Sequence, residues 1–343
     1  MRPGLIGNLQ ILRGVAAIGV VFYHTNYRLA GDAHTDLRGV ETFFVISGFI
    51  MCYISQNDPG WFFWKRILRI VPLYWLCTAF LLALSFQMVI RPWTWPADFI
   101  PHILKSLFFL PSDQHPILGV GWTLNYEMYF YLLFALALMI HRRMAPLIAA
   151  ALVTGILALA PLGCNHFLCT YYAEGYVKFF VFGIALYYFW SAVAPLLPRT
   201  ATAVIGIAVI ALLYAIELAP SVFGVPPPSF AIVMPIAVVA AALAMSASGT
   251  DVKWRPLLLV GDASYAIYLT HTIAMIFVPS VVAAGMPPPD TSTATMLAIL
   301  GACIVIGIFV HLAVEKPIGR RLRRFAGAGT QASLRLSGRG VTS

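Results

Sequence analysis

Long apolar runs, separated by short polar segments, repeat along the whole chain. Hydrophobic residues make up 60% of the 343 residues and charged residues only 10%, whereas a soluble globular domain has about 25% charged residues. The mean hydropathy is +0.85. A helix needs about 20 apolar residues to cross a bilayer. The pattern therefore predicts an all-α fold, a polytopic integral membrane helix bundle without a separate soluble domain.

The apolar runs predict about ten transmembrane helices and one shorter helix. The stretch 98–111 is too short to cross a bilayer and contains His102 and Lys105, so we expect a re-entrant or interfacial helix there. We interpret the first run as a transmembrane helix rather than a cleaved signal peptide, because it contains Arg13 and the chain continues into another span. The predicted spans are 9–27, 39–55, 70–90, 119–140, 145–162, 174–191, 200–218, 229–247, 257–281 and 293–314.

Lysine and arginine residues are distributed unevenly between the two sides of this bundle. With the N-terminus inside, sixteen of them fall on the inner side and five on the outer side. Cytoplasmic loops are enriched in these residues, so both termini are predicted to be cytoplasmic. The asymmetry also explains the net charge of +9, and we expect membrane lipid, not nucleic acid, as a partner. We divide the chain into a membrane domain, 1–317, and a basic, disordered cytoplasmic tail, 318–343.

The five cysteines lack the spacing of a metal site, and we expect no metal. Cys52, Cys77 and Cys303 lie in apolar runs and are interpreted as buried small apolar residues. Cys164 and Cys169 share a short loop. They either form a disulfide, if that loop faces an oxidising compartment, or stay reduced.

Ionisable side chains within the apolar runs are the most informative positions. Each costs at least a few kcal/mol in a bilayer and usually faces the bundle interior. Arg13 and His24 are eleven residues apart, which places them on one helix face, about 16 Å apart along the axis. Arg13 lies in the inner half of the span and His24 in the outer half. They either belong to a functional site or snorkel to the two headgroup layers.

Three more ionisable residues lie at middle to outer depth. Glu41 is near the outer end of the second span, where it either orients the His24 imidazole or is an interfacial residue. Glu127 lies about 12 Å deep in the fourth span, which indicates a functional role or a buried ion pair. His271 lies about 21 Å along the ninth span, as a functional or a hydrogen-bonded structural histidine.

Basic residues gather at the inner mouth of the bundle. Arg66 and Arg69 are i,i+3 neighbours, and such a pair either binds phosphate groups or anchors the helix at the inner surface. Glu315 and Lys316 close the last span, and we expect an ion pair between them. An enzyme that uses an anionic cytoplasmic donor and an acceptor from the other side requires this layering. A proton-coupled transporter would show it as well.

Six motifs, in order along the chain, resemble those of the membrane acyltransferase 3 family. Residues 9–317 carry the resemblance, which is closest to the exopolysaccharide O-acetyltransferases of the succinoglycan type. In the second motif one residue separates the acid from the phenylalanine pair, where the family pattern has two. The motifs are Arg-x10-His at Arg13 and His24, "ETFFVISGF" at 41–49, Arg-x-x-Arg-x-x-Pro at Arg66, Arg69 and Pro72, "WTLNYEMYFY" at 122–131, "SYAIYLTH" at 264–271 and Glu-Lys-Pro at 315–317.

The resemblance implies a multi-pass enzyme of the bacterial inner membrane. It would transfer an acyl group, with acetyl expected, from acyl-CoA to a sugar hydroxyl of an exopolysaccharide or its lipid-linked oligosaccharide precursor, in association with a polysaccharide synthesis or export complex. Lipopolysaccharide or a small glycoside as acceptor, succinyl as acyl group, a glycan-precursor transporter and a non-catalytic scaffold remain alternatives. Other members carry a fused esterase-like domain. This sequence ends near 343 without one, so we expect no transfer to a second domain of the chain.

The resemblance also implies how the donor is bound. Arg66 and Arg69 would bind the phosphates of acetyl-CoA, and Arg13 would guide its pantetheine arm or thioester. A cavity would then have to connect this inner mouth with His24.

The remaining site residues are expected to act on the acceptor side. His24 would be the general base on the sugar hydroxyl, or would carry the acyl group itself. Glu41 would orient His24. Glu127 and His271 would orient the sugar or stabilise the tetrahedral intermediate. The expected catalytic residues are therefore His24, Arg13, Glu41, Glu127 and His271.

Overall fold

All of the regular secondary structure in the described part of the chain is helical. The computed structural model describes residues 7–30, 37–57, 62–86, 99–159, 162–163, 166–173, 175–196, 199–223, 232–283 and 293–322. Within these ranges the α-helices are α1 (Gly7–Ala30), α2 (Gly39–Asn57), α3 (Phe62–Phe86), α4 (Phe99–Leu107), α5 (Trp122–Ile140), α6 (Ala145–Leu159), α7 (Phe167–Tyr172), α8 (Lys178–Val193), α9 (Arg199–Phe223), α10 (Val233–Ala247), α11 (Arg255–Asp262), α12 (Ser264–Ala283) and α13 (Thr293–Val310). The prediction of an all-α fold is confirmed.

Several helices are long and apolar enough to cross a membrane. Four described stretches meet both criteria, and the bent pair α11–α12 adds a fifth when it is counted as one span. Helices α2, α6, α8 and α10 are apolar but shorter. The protein is therefore a helical membrane protein, while the count of ten spans and the cytoplasmic position of both termini stay predictions. The four stretches are Arg66–Ser85, Gly119–Ile140, Thr202–Ala219 and Thr293–Leu322.

The predicted span 257–281 is broken into two helices in the structure. Helix α11 ends at Asp262, α12 begins at Ser264, and the two are bent by 66° relative to each other. Gly261 packs so tightly on α1 that a β-carbon there would lie 2.1 Å from the Gln10 carbonyl oxygen. Asp262 accepts a hydrogen bond from the Gln10 side chain. Docking of α11 on α1 accounts for the break, and hydropathy does not report such a tertiary contact.

Short helices lie near the predicted outer side. The short helix predicted within 98–111 is present as α4, whereas α7 was not predicted. The Tyr74 hydroxyl of α3 donates to the Ser106 carbonyl oxygen at 3.1 Å and lies 3.0 Å from the Ser106 hydroxyl, which joins α3 to α4. Burial, with a contribution from Lys105, lowers the pKa of His102 in α4, so this ring is neutral at pH 7.

The predictions on cysteines and on the C-terminus are tested in part. Cys52, Cys77 and Cys303 are reduced and buried, as predicted. Cys164 and the side chain of Cys169 lie outside the described residues, and so does the tail after residue 322. Their disulfide and the disorder of the tail stay predictions.

The expected ion pair between Glu315 and Lys316 is wrong. A π-helical turn, His311–Glu315, follows α13. Within it Glu315 Oε2 lies 2.7 Å from His311 Nδ1. Consecutive residues of a helix point in different directions, so a carboxylate reaches a residue one turn away more readily than its neighbour.

Helices α2 and α8 make the most extensive helix contact in the described structure. A β-carbon on Gly48 would lie 2.2 Å from the Phe180 carbonyl oxygen, and one on Gly183 would lie 2.2 Å from that of Val45. Small residues allow membrane helices to approach backbone to backbone in this way. Gly48 and Gly183 therefore allow the backbones of α2 and α8 to meet.

We expect Gly183→Ala to lower the midpoint of thermal unfolding of the detergent-solubilised protein. The added methyl group overlaps a main-chain oxygen of α2, and overpacking of this kind costs about 1–3 kcal/mol. Gly155→Ala in α6 is the matched control, because nothing lies within 4 Å of its β-carbon position. Equal midpoints for the two variants would contradict the role of the α2–α8 crossing.

Candidate active site

Helices α1, α2, α3, α5 and α12 line a partly open cavity with a volume of about 70 Å³. Arg13 of α1 and Arg66 and Arg69 of α3 line it, together with Glu127 of α5. Three guanidinium groups face one carboxylate, so these side chains give the cavity a net positive charge that favours an anionic ligand. The sequence placed Glu127 at a different depth from the arginines, whereas the structure brings all four into one cavity.

Hydroxyl groups hold the Glu127 carboxylate within this cavity. Its Oε1 accepts hydrogen bonds from Ser47 of α2, at 3.3 Å, and from Tyr131 one turn along α5. The Arg66 guanidinium carbon lies 5.9 Å from the centre of the Tyr131 ring, within the range of a cation–π contact. Arg13 donates to the Gln10 side chain at 3.4 Å. The charged groups are thus fixed by side chains from three helices.

His24 of α1 and His271 of α12 contact each other. Nε2 of His271 lies 3.2 Å from Nδ1 of His24, and the ring centroids are 4.9 Å apart. Each Nδ1 also faces a main-chain carbonyl oxygen, of Tyr268 at 2.6 Å for His271 and of Val20 at 2.9 Å for His24. Because a carbonyl oxygen can only accept, both Nδ1 atoms carry the proton of the neutral ring. The single Nδ1 proton of His24 is then shared between the Val20 carbonyl oxygen and Nε2 of His271, and Nε2 is the basic nitrogen of the His24 ring.

Tyr268 lies between the cavity and the histidine pair. Its side chain lines the cavity, and its hydroxyl lies 2.8 Å from Thr123 Oγ1 and donates to the Val120 carbonyl oxygen at 3.0 Å. Its ring centroid is 6.0 Å from that of His271. Neither His24 nor His271, both among the described residues, lines the cavity. The expected connection from the inner mouth therefore reaches Tyr268 and stops one helical turn before His271.

Glu41 is part of a buried ionic cluster. Its Oε1 lies 3.6 Å from Arg38 Nη1, and Arg38 Nε lies 3.9 Å from Oε2 of Glu217 in α9. Sequence reasoning missed Glu217, although a carboxylate within the predicted span 200–218 was the signal that could have revealed it. The orienting role of Glu41 toward His24 stays a prediction, since the described partners of His24 Nδ1 are a carbonyl oxygen and His271.

These features define a class of protein. It is a helical membrane protein with a cationic cavity suited to an anionic ligand, beside a histidine pair in which one ring nitrogen is able to accept a proton. Among the residues that the structure describes, no group of three or more histidine, cysteine, aspartate or glutamate side chains is arranged to hold a metal ion.

The chain belongs to the acyltransferase 3 family, whose acyltransferase domain it matches over residues 6–312. The protein is therefore an acyltransferase, and the resemblance inferred from the six motifs is confirmed. The alternatives of a glycan-precursor transporter and a non-catalytic scaffold are set aside by this membership.

Three relatives are similar to this chain, two of them over 83% of its length. The exopolysaccharide production protein ExoZ of Rhizobium meliloti (strain 1021) is 34% identical over 300 residues, which cover 83% of this chain and 90% of that protein. The O-acetyltransferase OatA of Staphylococcus aureus (strain NCTC 8325 / PS 47) is 26% identical over 333 residues, 83% of this chain and 52% of that protein. Nodulation protein 10 of Rhizobium leguminosarum bv. viciae is 31% identical over 185 residues, which are 44% of this chain and 49% of that protein. No solved structure matches the chain.

Proposed function

We propose that the protein transfers an acetyl group from acetyl-CoA to a sugar hydroxyl of an exopolysaccharide or its lipid-linked precursor, in the bacterial inner membrane. The observation that carries this proposal is the cationic cavity next to a histidine pair whose contacts place the His24 proton on Nδ1, which makes Nε2 the basic nitrogen of that ring. The names of two relatives, an exopolysaccharide production protein and an O-acetyltransferase, support the choice of acetyl group and acceptor.

The arginines suit the phosphate groups of coenzyme A. Arg66 and Arg69 lie one turn apart on α3 and face the same cavity as Arg13, and guanidinium groups bind phosphate oxygens through two parallel N–H donors. Glu127 is the carboxylate among these cations, and Ser47 and Tyr131 hold it in place. In this proposal Glu127 positions the arginines, and it does so in place of the sugar-orienting role expected from the resemblance.

The chemistry assigned to His24 is general-base catalysis. Nε2 of His24 removes the proton from the sugar hydroxyl as the oxygen attacks the thioester carbonyl carbon. The tetrahedral intermediate collapses with cleavage of the carbon–sulfur bond, and the leaving thiolate takes up the proton that His24 holds. The products are a sugar acetyl ester and coenzyme A with a free thiol.

His271 takes the positioning role that the sequence suggested for Glu41. Its Nε2 accepts a hydrogen bond from the Nδ1–H of His24, which keeps Nε2 as the basic nitrogen of the His24 ring. The thioester reaches His24 only when the Tyr268 side chain is displaced, because Tyr268 closes the cavity toward the histidines.

Purified protein in detergent, incubated with radiolabelled acetyl-CoA and de-O-acetylated exopolysaccharide from the producing cell, tests the proposal. We expect label to appear in the polysaccharide as an ester that mild alkali releases, together with one coenzyme A thiol for each ester formed. Succinyl-CoA in a parallel reaction tests the acyl group. A protein that esterifies no glycan acceptor with any acyl-CoA would contradict the proposal.

A further inference from the structure

A second cleft lies on the predicted outer side of the bundle, apart from the cationic cavity. Its cavity volume is about 340 Å³, at the lower end of the range typical of ligand sites. The loop 111–118, the first turns of α5 and the short helix α7 form its walls. None of the functions assigned above uses these residues.

Aromatic rings form one wall of this outer cleft. Trp122 and Tyr126 of α5 line it together with Phe167 and Tyr171 of α7. Tyr126 and Tyr171 are stacked, with centroids 5.2 Å apart and ring planes 13° apart, and Trp122 meets Tyr126 edge to face at 5.9 Å. Tyr126 is buried behind Tyr171, so the ring surface open to the cleft comes from Trp122, Phe167 and Tyr171. Such aromatic surface binds the C–H faces of sugar rings, which are apolar although the ring carries hydroxyl groups.

Polar side chains form the rim of the outer cleft. Asp113 and Gln114 are exposed there, and Ser112 and Thr170 add hydroxyl groups. A carboxylate accepts hydrogen bonds from sugar hydroxyls, and an amide both donates and accepts them. The described residues that line the cleft include the Asp113 carboxylate and the His115 imidazole but no lysine or arginine, so the lining favours a neutral sugar over an acidic one.

The outer cleft and the candidate active site share the start of α5. Trp122 and Tyr126 face the cleft, whereas Thr123 and Glu127, each one residue further along, line the cationic cavity. Thr123 lies 2.8 Å from the Tyr268 hydroxyl. A ligand on Trp122 is therefore close to the tyrosine that separates the cavity from the histidine pair.

We propose that the outer cleft binds a neutral segment of the glycan acceptor. This proposal rests on the proposed function, because it names the surface that presents the acceptor. The aromatic wall binds the faces of the sugar rings, and Asp113 and Gln114 bind their hydroxyl groups. Charged substituents of the polymer lie outside the cleft.

Direct binding tests this assignment without any acyl transfer. Cellotetraose and maltotetraose are the neutral probes and tetragalacturonic acid is the acidic probe, each titrated by calorimetry into the full-length protein in detergent. We expect at least one neutral probe to bind more tightly than the acidic probe. The assignment is overturned if neither neutral probe binds, or if the acidic probe binds more tightly.

Variants decide whether the bound probe occupies this cleft. Truncation of an aromatic residue at the centre of a site weakens binding about 30-fold, and we expect this loss for Tyr171→Ala and Trp122→Ala. Tyr171→Phe keeps the ring and should retain binding.

Asp113→Ala, at an exposed position that leaves the packing intact, should weaken binding of the neutral probe about 5- to 10-fold. Tyr188→Ala is the matched control, since Tyr188 is an exposed aromatic residue of α8. Wild-type affinity in Tyr171→Ala and Asp113→Ala would overturn the assignment.

The transfer assay separates this inference from the proposed function. With polysaccharide as acceptor, Tyr171→Ala should raise the KM for the acceptor about 30-fold and leave the KM for acetyl-CoA within about twofold. Cleft-dependent binding of a neutral probe by a protein that transfers no acetyl group would support the cleft and contradict the proposed function. If Tyr171→Ala and Asp113→Ala both transfer acetyl groups with an unchanged KM for the acceptor, the assignment of the cleft is overturned and the proposed function is not.

Discussion

Replacement of His24 by alanine is expected to lower kcat for acetyl transfer by about 10²- to 10⁴-fold, the usual contribution of a general base. The KM for acetyl-CoA should change little, because the arginines that face the cavity belong to α3 and to the inner half of α1. Initial rates with labelled acetyl-CoA and de-O-acetylated polysaccharide measure both constants. We expect kcat to fall while the KM for acetyl-CoA stays nearly constant, because His24 contacts His271 and Val20 and does not line the donor cavity.

Two further histidine variants give this experiment its controls. His141 is exposed in the loop after α5, and His141→Ala should retain wild-type rates. His271→Leu should lower kcat, whereas His271→Gln, whose amide oxygen is able to accept the Nδ1 proton of His24, should restore part of it. A normal kcat in His24→Ala would refute the assigned role of His24. Equal rates in the leucine and glutamine variants would refute the positioning role of His271.

Removal of the two arginines on α3 is expected to affect mainly the donor. Arg66→Ala and Arg69→Ala should each raise the KM for acetyl-CoA about 10- to 100-fold. A hydrogen bond to a charged group contributes about 1.5–3 kcal/mol, and 1.4 kcal/mol corresponds to a factor of ten. Rates measured over a range of acetyl-CoA concentrations, at saturating acceptor, give the change.

The choice of control separates phosphate binding from general attraction of anions to the inner surface. Arg143 is exposed in the loop after α5, on the predicted cytoplasmic side, and Arg143→Ala should leave the KM for acetyl-CoA as it is. Arg66→Lys keeps the charge but loses the fork of donors, so its KM should lie between those of wild type and Arg66→Ala. If Arg143→Ala and Arg66→Ala raise the KM equally, the cationic cavity is not the donor site.

The helices could be predicted from hydropathy because a long apolar run in a membrane satisfies its backbone hydrogen bonds most simply by forming a helix. Hydropathy failed where contacts between helices decide the outcome. The break between α11 and α12 depends on the approach of Gly261 to the Gln10 carbonyl. The short helix α7 has six residues, too few for its own periodicity to identify it.

The candidate site was predictable at the level of single helices and not beyond it. Helical periodicity placed Arg13 and His24 on one face, and depth separated the inner from the outer residues. The contact between His24 and His271 joins α1 to α12, which are 247 residues apart in sequence at this point. The tautomers of His24 and His271 depend on two main-chain carbonyl oxygens. Helix packing fixes both features, and sequence spacing contains no information on that packing.

Ser47 directly precedes Gly48, the residue at which α2 touches α8 backbone to backbone. The hydroxyl that reaches Glu127 is thus anchored by main-chain atoms. Side-chain rearrangements in the surrounding lipid-facing layer transmit little displacement to such an anchor, since two packed backbones have no rotamers to exchange. The wall of the cavity that α2 forms is therefore rigid. In the proposed reaction, Tyr268 and the donor move relative to this wall.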